Sequence, residues 1–345
     1  MPILTNQSPA SELAEYEDFV ANSPHGHMMQ SVNWSQVKSN WRADFVYLRG
    51  ADGSIKAALS ILSIANDGQH SFLYAPRGPV CDLANVELVS ALTKEAQPVI
   101  EKHNGFLLRM DPEVTYSPDL VQMYTQAGFT VRSREIEDPH AFSNPRINMV
   151  ANLSGLTQEN LIENYSRKAK NKIRKPYKSG ITTRLVSVDE DDYLKSLDEF
   201  YHLTEIMAQR QGITYRPKEY FARLMRAFDD SKLFVTSYDA DGEREVLSSC
   251  IVVSYNRKSF YMYAASSNEK RNLLPNHQMN FEAIKYAISR GMSEYDMGGV
   301  YSTETDDGLF NFKHHFTGDE GIREMLGEID LVIDEARYRD FVANH

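Results

Sequence analysis

The sequence predicts a mixed α/β protein made of two similar domains. Three observations carry that expectation. Strand-like and helix-like stretches follow one another as hairpin, strand, helix, strand, helix, an order that belongs to neither all-α nor all-β proteins. The order occurs twice, with the turn glycine Gly53 preceding Tyr74 by 21 residues and Gly242 preceding Tyr263 by the same 21. At 345 residues the chain is also long for a single core, because domains of ~100–200 residues are usual.

In the first copy, residues 11–22 form a short acidic helix with Leu13, Tyr16 and Phe19 or Val20 on one face. The stretch from Trp34 to Trp41 reads as a helix carrying both tryptophans and Val37 on one side, with Lys38 just off it. Phe45–Leu48 and Ile55–Ile61 flank an Asp52-Gly53 turn and make a hairpin, and Ser71–Ala75 is the next strand. A helix over Asn85–His103 leads into the strand Gly105–Met110, whose end is marked by Asp111 and Pro112. Leu120–Ala127 is helical and Gly128–Val131 closes the unit.

The second copy has Leu233–Tyr238, an Asp241-Gly242 turn, Val246–Val253, Phe260–Ala264, a helix over Asn276–Arg290 and a strand ending at Asp296, placed opposite Asp111. Between the copies lie a helix from Asn160 stopped at Pro176, an amphipathic helix over Asp189–Gln211 ended by Gly212, and a helix begun at Pro217.

Composition narrows the function. Hydrophobic and charged contents of 42% and 25% are those of an ordinary folded protein, and no apolar stretch is long enough for export or a membrane span, so a cytoplasmic protein is expected. Cys81 and Cys250 are too far apart in sequence for a thiolate metal motif or a disulfide framework. The adjacent His314 and His315 point to different sides of a helix, and no metal is expected. The net charge of -11 weighs against binding a polyanion, yet Arg167, Lys168, Lys170, Lys172, Arg174, Lys175 and Lys178 follow one another without an acid. Such a run on an acidic protein asks for a local reason.

The stretch from Tyr295 to Phe316 carries the strongest chemical signal. A strand enters the pair Gly298 and Gly299, Asp306 or Asp307 caps a helix, and that helix carries Lys313 among aromatic residues. A cation is thereby placed at the C-terminal edge of a sheet, where ligands gather in open α/β folds.

The repeated unit resembles the fold of the Gcn5-related N-acetyltransferases (GNAT), and Met123–Phe129 is similar to that fold's closing helix-to-strand pattern. That family cradles coenzyme A on a Q/R-x-x-G-x-G/A loop, and this chain contains neither G-x-G nor G-x-A, so no coenzyme A and no other cofactor is expected. With the fold duplicated and the loop absent, the chain resembles the Fem family of aminoacyl-tRNA-dependent peptidyltransferases. It is nearest to the FemX type through the Trp34–Trp41 stretch, Arg109–Val114, Gly212–Pro217, Tyr261–Ala264, Asp296–Gly299, Asp306-Asp307 with Phe312-Lys313-His314, and Gly327–Asp330. The long coiled-coil insertion of lipid-substrate relatives is missing.

The resemblance implies a monomer of two tandem GNAT-like domains, residues 1–148 with 326–345 on the acceptor side and 149–325 on the aminoacyl-tRNA side. It implies transfer of alanine, or else serine or glycine, from tRNA to the side-chain amine of the third residue, a lysine, of UDP-MurNAc-pentapeptide. Lys38 and Arg216 would hold the diphosphate, and Tyr220 and Tyr263 would line the acceptor cavity. Phe106 stands where a tyrosine is expected, so one acceptor hydrogen bond would be missing or rearranged. Lys313 would answer the oxyanion with the Phe312 backbone beside it. Either Asp111 or a ribose oxygen of the tRNA would take the proton. Arg167, Lys168, Lys170, Lys172, Arg174 and Lys175 would meet the tRNA acceptor arm. Two rivals stand beside this reading: an acyl-coenzyme A-dependent N-acyltransferase, and a non-catalytic protein that binds tRNA or a nucleotide sugar.

Overall fold

The computed structural model describes residues 3–240 and 242–344, so Asp241 of the second hairpin turn lies outside the described residues. The first half runs β1 (Ile3–Thr5), α1 (Ala10–Asn22), α2 (Val32–Val37), β2 (Arg42–Arg49), β3 (Ile55–Ala65), β4 (Ser71–Ala75), α3 (Val86–Glu95), α4 (Gln97–Lys102), β5 (Gly105–Met110), α5 (Pro118–Gln126) and β6 (Thr130–Arg132). Then come β7 (Ile147–Asn152), α6 (Arg167–Lys178), β8 (Ile181–Val186), α7 (Tyr193–Gln211), α8 (Lys218–Ala227), β9 (Ser231–Ala240), β10 (Glu243–Tyr255) and β11 (Lys258–Ser266). The chain finishes with α9 (Pro275–Ser289), β12 (Glu294–Val300), α10 (Gly308–Thr317), β13 (Ile322–Glu324), β14 (Glu328–Val332) and α11 (Glu335–Asn344).

These elements form two compact units, Met1–Ile147 with Glu324–His345, and Asn148–Arg323. Each has a seven-stranded sheet, ordered β1-β2-β3-β4-β5-β14-β6 in the first and β8-β9-β10-β11-β12-β7-β13 in the second. In both, a hairpin is followed by an antiparallel and then a parallel pairing, so β2, β3, β4 and β5 correspond to β9, β10, β11 and β12. β14 and β7 hold the same place in the two orders, and each follows in sequence the last strand of the other copy.

In the first unit Leu59, Ile61, Leu73 and Leu108 of the sheet pack with Val89 and Leu92 of α3. A buried ionic network fixes the returning C-terminal segment. Arg109 on β5 grips Asp330 on β14 with two bonds of 2.8 Å, Arg132 on β6 meets Glu328 at 2.8 Å, and the Tyr338 hydroxyl of α11 donates to Asp330 at 3.0 Å. A charge buried this deeply is tolerable only with such partners.

Several elements differ from the sequence-based expectation for identifiable reasons. The helix at Trp34 ends at Val37 with Lys38 as its C-cap, so Trp41 lies in the bend just before β2 instead of sharing a helical face with Trp34. The helix expected over Asn85–His103 breaks at Ala96, where Pro98 opens α4 in its first turn. α6 starts at Arg167, where the Ser166 hydroxyl caps it, and Pro176 lies inside its last turn. The missing amide at Pro176 removes one bond close to the end of the helix, which then stops before Gly180 at φ +76°. β12 passes through Asp296 and both glycines to Val300, so Asp296 is a strand residue, whereas Asp111 lies beyond the end of β5. The two aspartates do not occupy corresponding places.

Candidate active site

In the first unit, Lys38 sits at the end of α2 with its ammonium 5.6 Å from the Trp34 ring centre. Its carbonyl accepts the Trp41 amide at 2.8 Å, and the Trp41 ring meets Phe72 edge-on at 6.3 Å. Phe72 stacks on Tyr74 at 5.9 Å and leans on Phe106 at 6.5 Å, and the Tyr74 hydroxyl donates to Asp111 at 2.9 Å. Lys38, Phe106 and Asp111 thus lie along one aromatic run. Phe106 is buried, with Phe341 of α11 edge-on at 5.5 Å, a setting that offers a phenyl ring all it needs.

Asp111 is buried and accepts three hydrogen bonds, from the Arg77 amide at 2.6 Å, the Asn144 side-chain amide at 2.6 Å and Tyr74. Those donors tie the turn after β4 and the segment at residue 144 to the end of β5. They fill three of the carboxylate's roughly four acceptor positions, two on Oδ2 and one on Oδ1. Burial and the Asp111 charge push the Tyr74 phenol far above its ordinary range. Tyr74 and Asn144 escaped the sequence reading, although the equal spacing of Gly53–Tyr74 and Gly242–Tyr263 pairs Tyr74 with a residue that did not.

In the second unit, Arg216, Tyr220 and Tyr263 come together. The Tyr263 hydroxyl donates to that of Tyr220 at 3.0 Å, and the Arg216 guanidinium lies 5.5 Å from the Tyr220 ring centre. Arg216 and Tyr263 line a cavity of about 400 Å³ with Thr204, Thr214, Tyr215 and Phe221. Arg216 is exposed and sits immediately before Pro217, the N-cap of α8, while Tyr220 is buried on that helix. A planar cation at a cavity wall beside two phenol groups suits a phosphate or another planar anion.

Lys313 is set by β12 and α10. The Asp307 carboxylate accepts the Phe310 amide and starts α10, which Gly318 ends. That phase turns Lys313 toward β12, leaving it only 6% exposed, with its ammonium donating to the Gly299 carbonyl at 2.8 Å. Gly298 makes the seat. Its φ of +75° disfavours any residue with a side chain, its amide donates to Asp296 at 2.7 Å, and a Cβ there would stand 3.7 Å from the ammonium. β11 and β12 pair over Lys258–Phe260 and Glu294–Asp296, and β12 runs on through Gly299, where it meets Lys313, to Val300.

Burial lowers the Lys313 pKa from 10.5 to about 8, against the opposing pull of Asp296 and Asp307. A cation so poorly solvated can respond strongly to a nearby developing negative charge. Of the two caps the sequence offered, Asp306 or Asp307, it is the Asp307 carboxylate that caps the helix, and it also acts on Lys313 as a neighbouring charge. Phe312 turns its ring away, edge-on to His277 at 5.2 Å and to Phe316 at 5.7 Å.

The basic run forms α6. Arg167, Lys168, Arg174 and Lys175 are exposed, and Lys170 and Lys172 are partly covered. Among the described residues no helix is long and apolar enough to cross a membrane, and no group of three metal-binding side chains converges. Cys81 and Cys250 are free and buried, and burial pushes the Cys81 thiol up to about 12.

Solved structures share this architecture. FemX in its crystal structure superposes with a TM-score of 0.83 at 22% identity, covering 99% of this chain and 100% of FemX. A tandem GNAT protein from the clavulanic acid biosynthesis pathway superposes at 0.56 with 10% identity, over 96% of this chain and 98% of that one. At those identities the likeness establishes the fold, two GNAT-like domains in tandem. The sequence goes further. The UDP-N-acetylmuramoylpentapeptide-lysine N(6)-alanyltransferase of Weissella viridescens is 36% identical over 345 residues, 99% of each chain. A lipid II:glycine glycyltransferase of Staphylococcus aureus (strain bovine RF122 / ET3-1) is 25% identical over 399 aligned residues, 94% of this chain and 92% of the relative. The family model described as FemAB matches residues 11–239 and 234–343, which takes in both units and the strand that returns to the first. With the match that extensive and one relative so similar along its length, the chain belongs to the FemAB family.

Proposed function

We propose that the chain transfers an amino acid, alanine before serine or glycine, from aminoacyl-tRNA to the side-chain amine of the third-residue lysine of UDP-MurNAc-pentapeptide. The observation that carries this reading is the Lys313 seat: a buried ammonium held on the Gly299 carbonyl at the end of a strand, in a duplicated acyltransferase fold. The choice of substrates is supported by the 36% identity to the Weissella viridescens alanyltransferase over 99% of both chains.

The lysine amine attacks the ester carbonyl, a carbon–nitrogen bond forms, and the ester carbon–oxygen bond breaks to release the tRNA. The amine proton ends on the departing ribose oxygen, so the reaction balances without another reactant. Lys313 stabilises the oxyanion of the tetrahedral intermediate, with the Phe312 backbone on the same wall. Three donors already satisfy Asp111. That favours the ribose oxygen as the proton's route and gives Asp111 the work of holding the aromatic run in place. Lys38 and Arg216 bind the diphosphate, and Tyr220, Tyr263 and Phe106 bound the acceptor site. The α6 cations Arg167, Lys168, Lys170, Lys172, Arg174 and Lys175 bind the acceptor arm of the tRNA. A nucleotide-linked acceptor and a tRNA donor fit a cytoplasmic enzyme, and the proposed enzyme is a monomer.

The test is to offer UDP-MurNAc-pentapeptide together with tRNA charged separately with alanine, serine or glycine, and to read the product by mass. Addition of one alanyl residue is expected to be fastest. No addition from any charged tRNA would overturn the proposal.

A further inference from the structure

We propose that the junction of α6, α9 and α10 is a seat for a backbone phosphate of RNA, formed by Lys168 and Lys172 of α6 with His277 of α9 and His315 of α10. The inference rests on the tRNA reading above and deepens it. It separates the cations of α6 that receive the nucleic acid here from those that do not, and it adds two histidines to them.

The cations of α6 are of two kinds. Lys170 lies 2.6 Å from Glu163 and Arg174 3.6 Å from the same carboxylate, so both already have a counter-charge. Lys168 and Lys172 are four residues apart and share a face of the helix, and among the described residues neither has an ion-pair partner. Both act as neighbouring charges on the His315 imidazole, and Lys172 also on that of His277. His277 Nε2 and His315 Nδ1 are 3.4 Å apart, one ring from each of two helices.

Four nitrogen bases from three elements thus converge with no acid among them. Burial first, and then His315 and Lys172, holds His277 down at about 3. Burial first, and then Lys172, Lys168 and His314, holds His315 at about 4. Lys172 is itself lowered by burial and by Lys168. His314, the remaining histidine facing this cluster, is engaged with Asp319 at 2.7 Å. Without an anion, the protein therefore keeps both imidazoles neutral beside two uncompensated ammonium groups.

The arrangement is electrostatically unfavourable alone and favourable around a doubly accepting anion. It is also reachable. Lys168 and His315 line a cavity of about 1110 Å³ together with Tyr165 and Asn311; the carboxylates of Asp319, which is engaged by His314, and Glu320 line it as well. A phosphate entering there accepts from both ammonium groups and raises the proton affinity of His315, which then donates as an imidazolium. RNA binding at this seat takes up a proton.

The experiment uses the full chain and an uncharged RNA hairpin that reproduces a tRNA acceptor stem with its single-stranded 3′ end. Affinity is measured across salt concentrations for the wild type and for Lys168→Ala with Lys172→Ala, both changes on a helix surface. The His277 and His315 ring protons are followed by NMR against pH with and without the RNA. The proposal expects His315 to titrate at higher pH when RNA is bound. It expects the slope of log affinity against log salt to fall by about 0.9 for each phosphate contact removed.

If RNA binds both proteins with the same slope and leaves both histidines unmoved, the seat is overturned, and the tRNA reading survives on Arg167, Arg174 and Lys175. Inorganic phosphate that moves His315 while the double variant still binds RNA unchanged would make this a free-phosphate site and also overturn it. Failure of the wild type to bind the hairpin at all would remove both.

Discussion

A lysine that is 6% exposed, with a backbone carbonyl for its hydrogen bond, is an expensive way to stabilise a helix, and its titration shows how the expense is distributed. The Lys313 pKa is lowered to about 8 in the fold from 10.5, so between those values the unfolded chain binds more protons than the native one. Stability therefore rises as pH climbs from about 8 toward 10.5, and below about 8 the full penalty is present. Lys313→Met should accordingly stabilise the protein at pH 7 by on the order of 1–3 kcal/mol, with the gain fading above about pH 10, as read by denaturant unfolding. The same variant should lose turnover by ~10²–10³ with little change in the binding of either substrate, because the charge it answers exists mainly in the transition state. A less stable variant, or one with near-normal turnover, would make Lys313 a packing residue. Acting as a cation, Lys313 also predicts a wild-type transfer rate that falls as pH passes about 8, once spontaneous ester hydrolysis is subtracted. At this scale the residue types were legible and their surroundings were not. Lys313 and the two candidate caps stood out in the sequence, but only packing reveals that Asp296 lies within a strand and that Asp111 accepts from three donors.

The β12–α10 segment shows what local sequence can fix in an element. Asp307 caps α10 through the Phe310 amide and Gly318 ends it, so the helix has the phase that brings Lys313 against Gly299. Asp307→Ala should destabilise the protein by ~1 kcal/mol, whereas Asp307→Asn, which keeps an acceptor in place, should lose much less. Equal losses in thermal unfolding would show that the charge matters and the cap does not. Hairpins with an Asp-Gly turn and helices with a side-chain cap could be read directly, because their determinants lie within a few residues. The break between α3 and α4 was hidden by Pro98, which suits the first turn of a helix as well as it interrupts one. The short strands β1, β7, β8 and β13 went unread, since three to six residues without a neighbouring turn signal acquire strand identity only from a distant partner.

For the molecule as a whole, duplication was legible because the 21-residue interval survives in both copies, and the sheet orders match strand for strand. The return of residues 326–345 to the first domain was expected from the family resemblance alone, as neither β7 nor β14 carries a local mark of which sheet it completes. The Arg109–Asp330 pair, 221 residues apart in sequence, is an example of what must be folded to be seen. The proposal divides the possible donors on two sequence features, the lack of a G-x-G/A loop and the basic helix α6, which is the proposed surface for RNA. The most direct test of that division is a single-turnover reaction in which excess enzyme and UDP-MurNAc-pentapeptide meet either alanyl-tRNA or acetyl-coenzyme A, with the product located by tandem mass spectrometry. The account predicts one alanyl group on the third-residue side-chain amine from alanyl-tRNA and no product from the thioester. Acylation from acetyl-coenzyme A with alanyl-tRNA inert would contradict it.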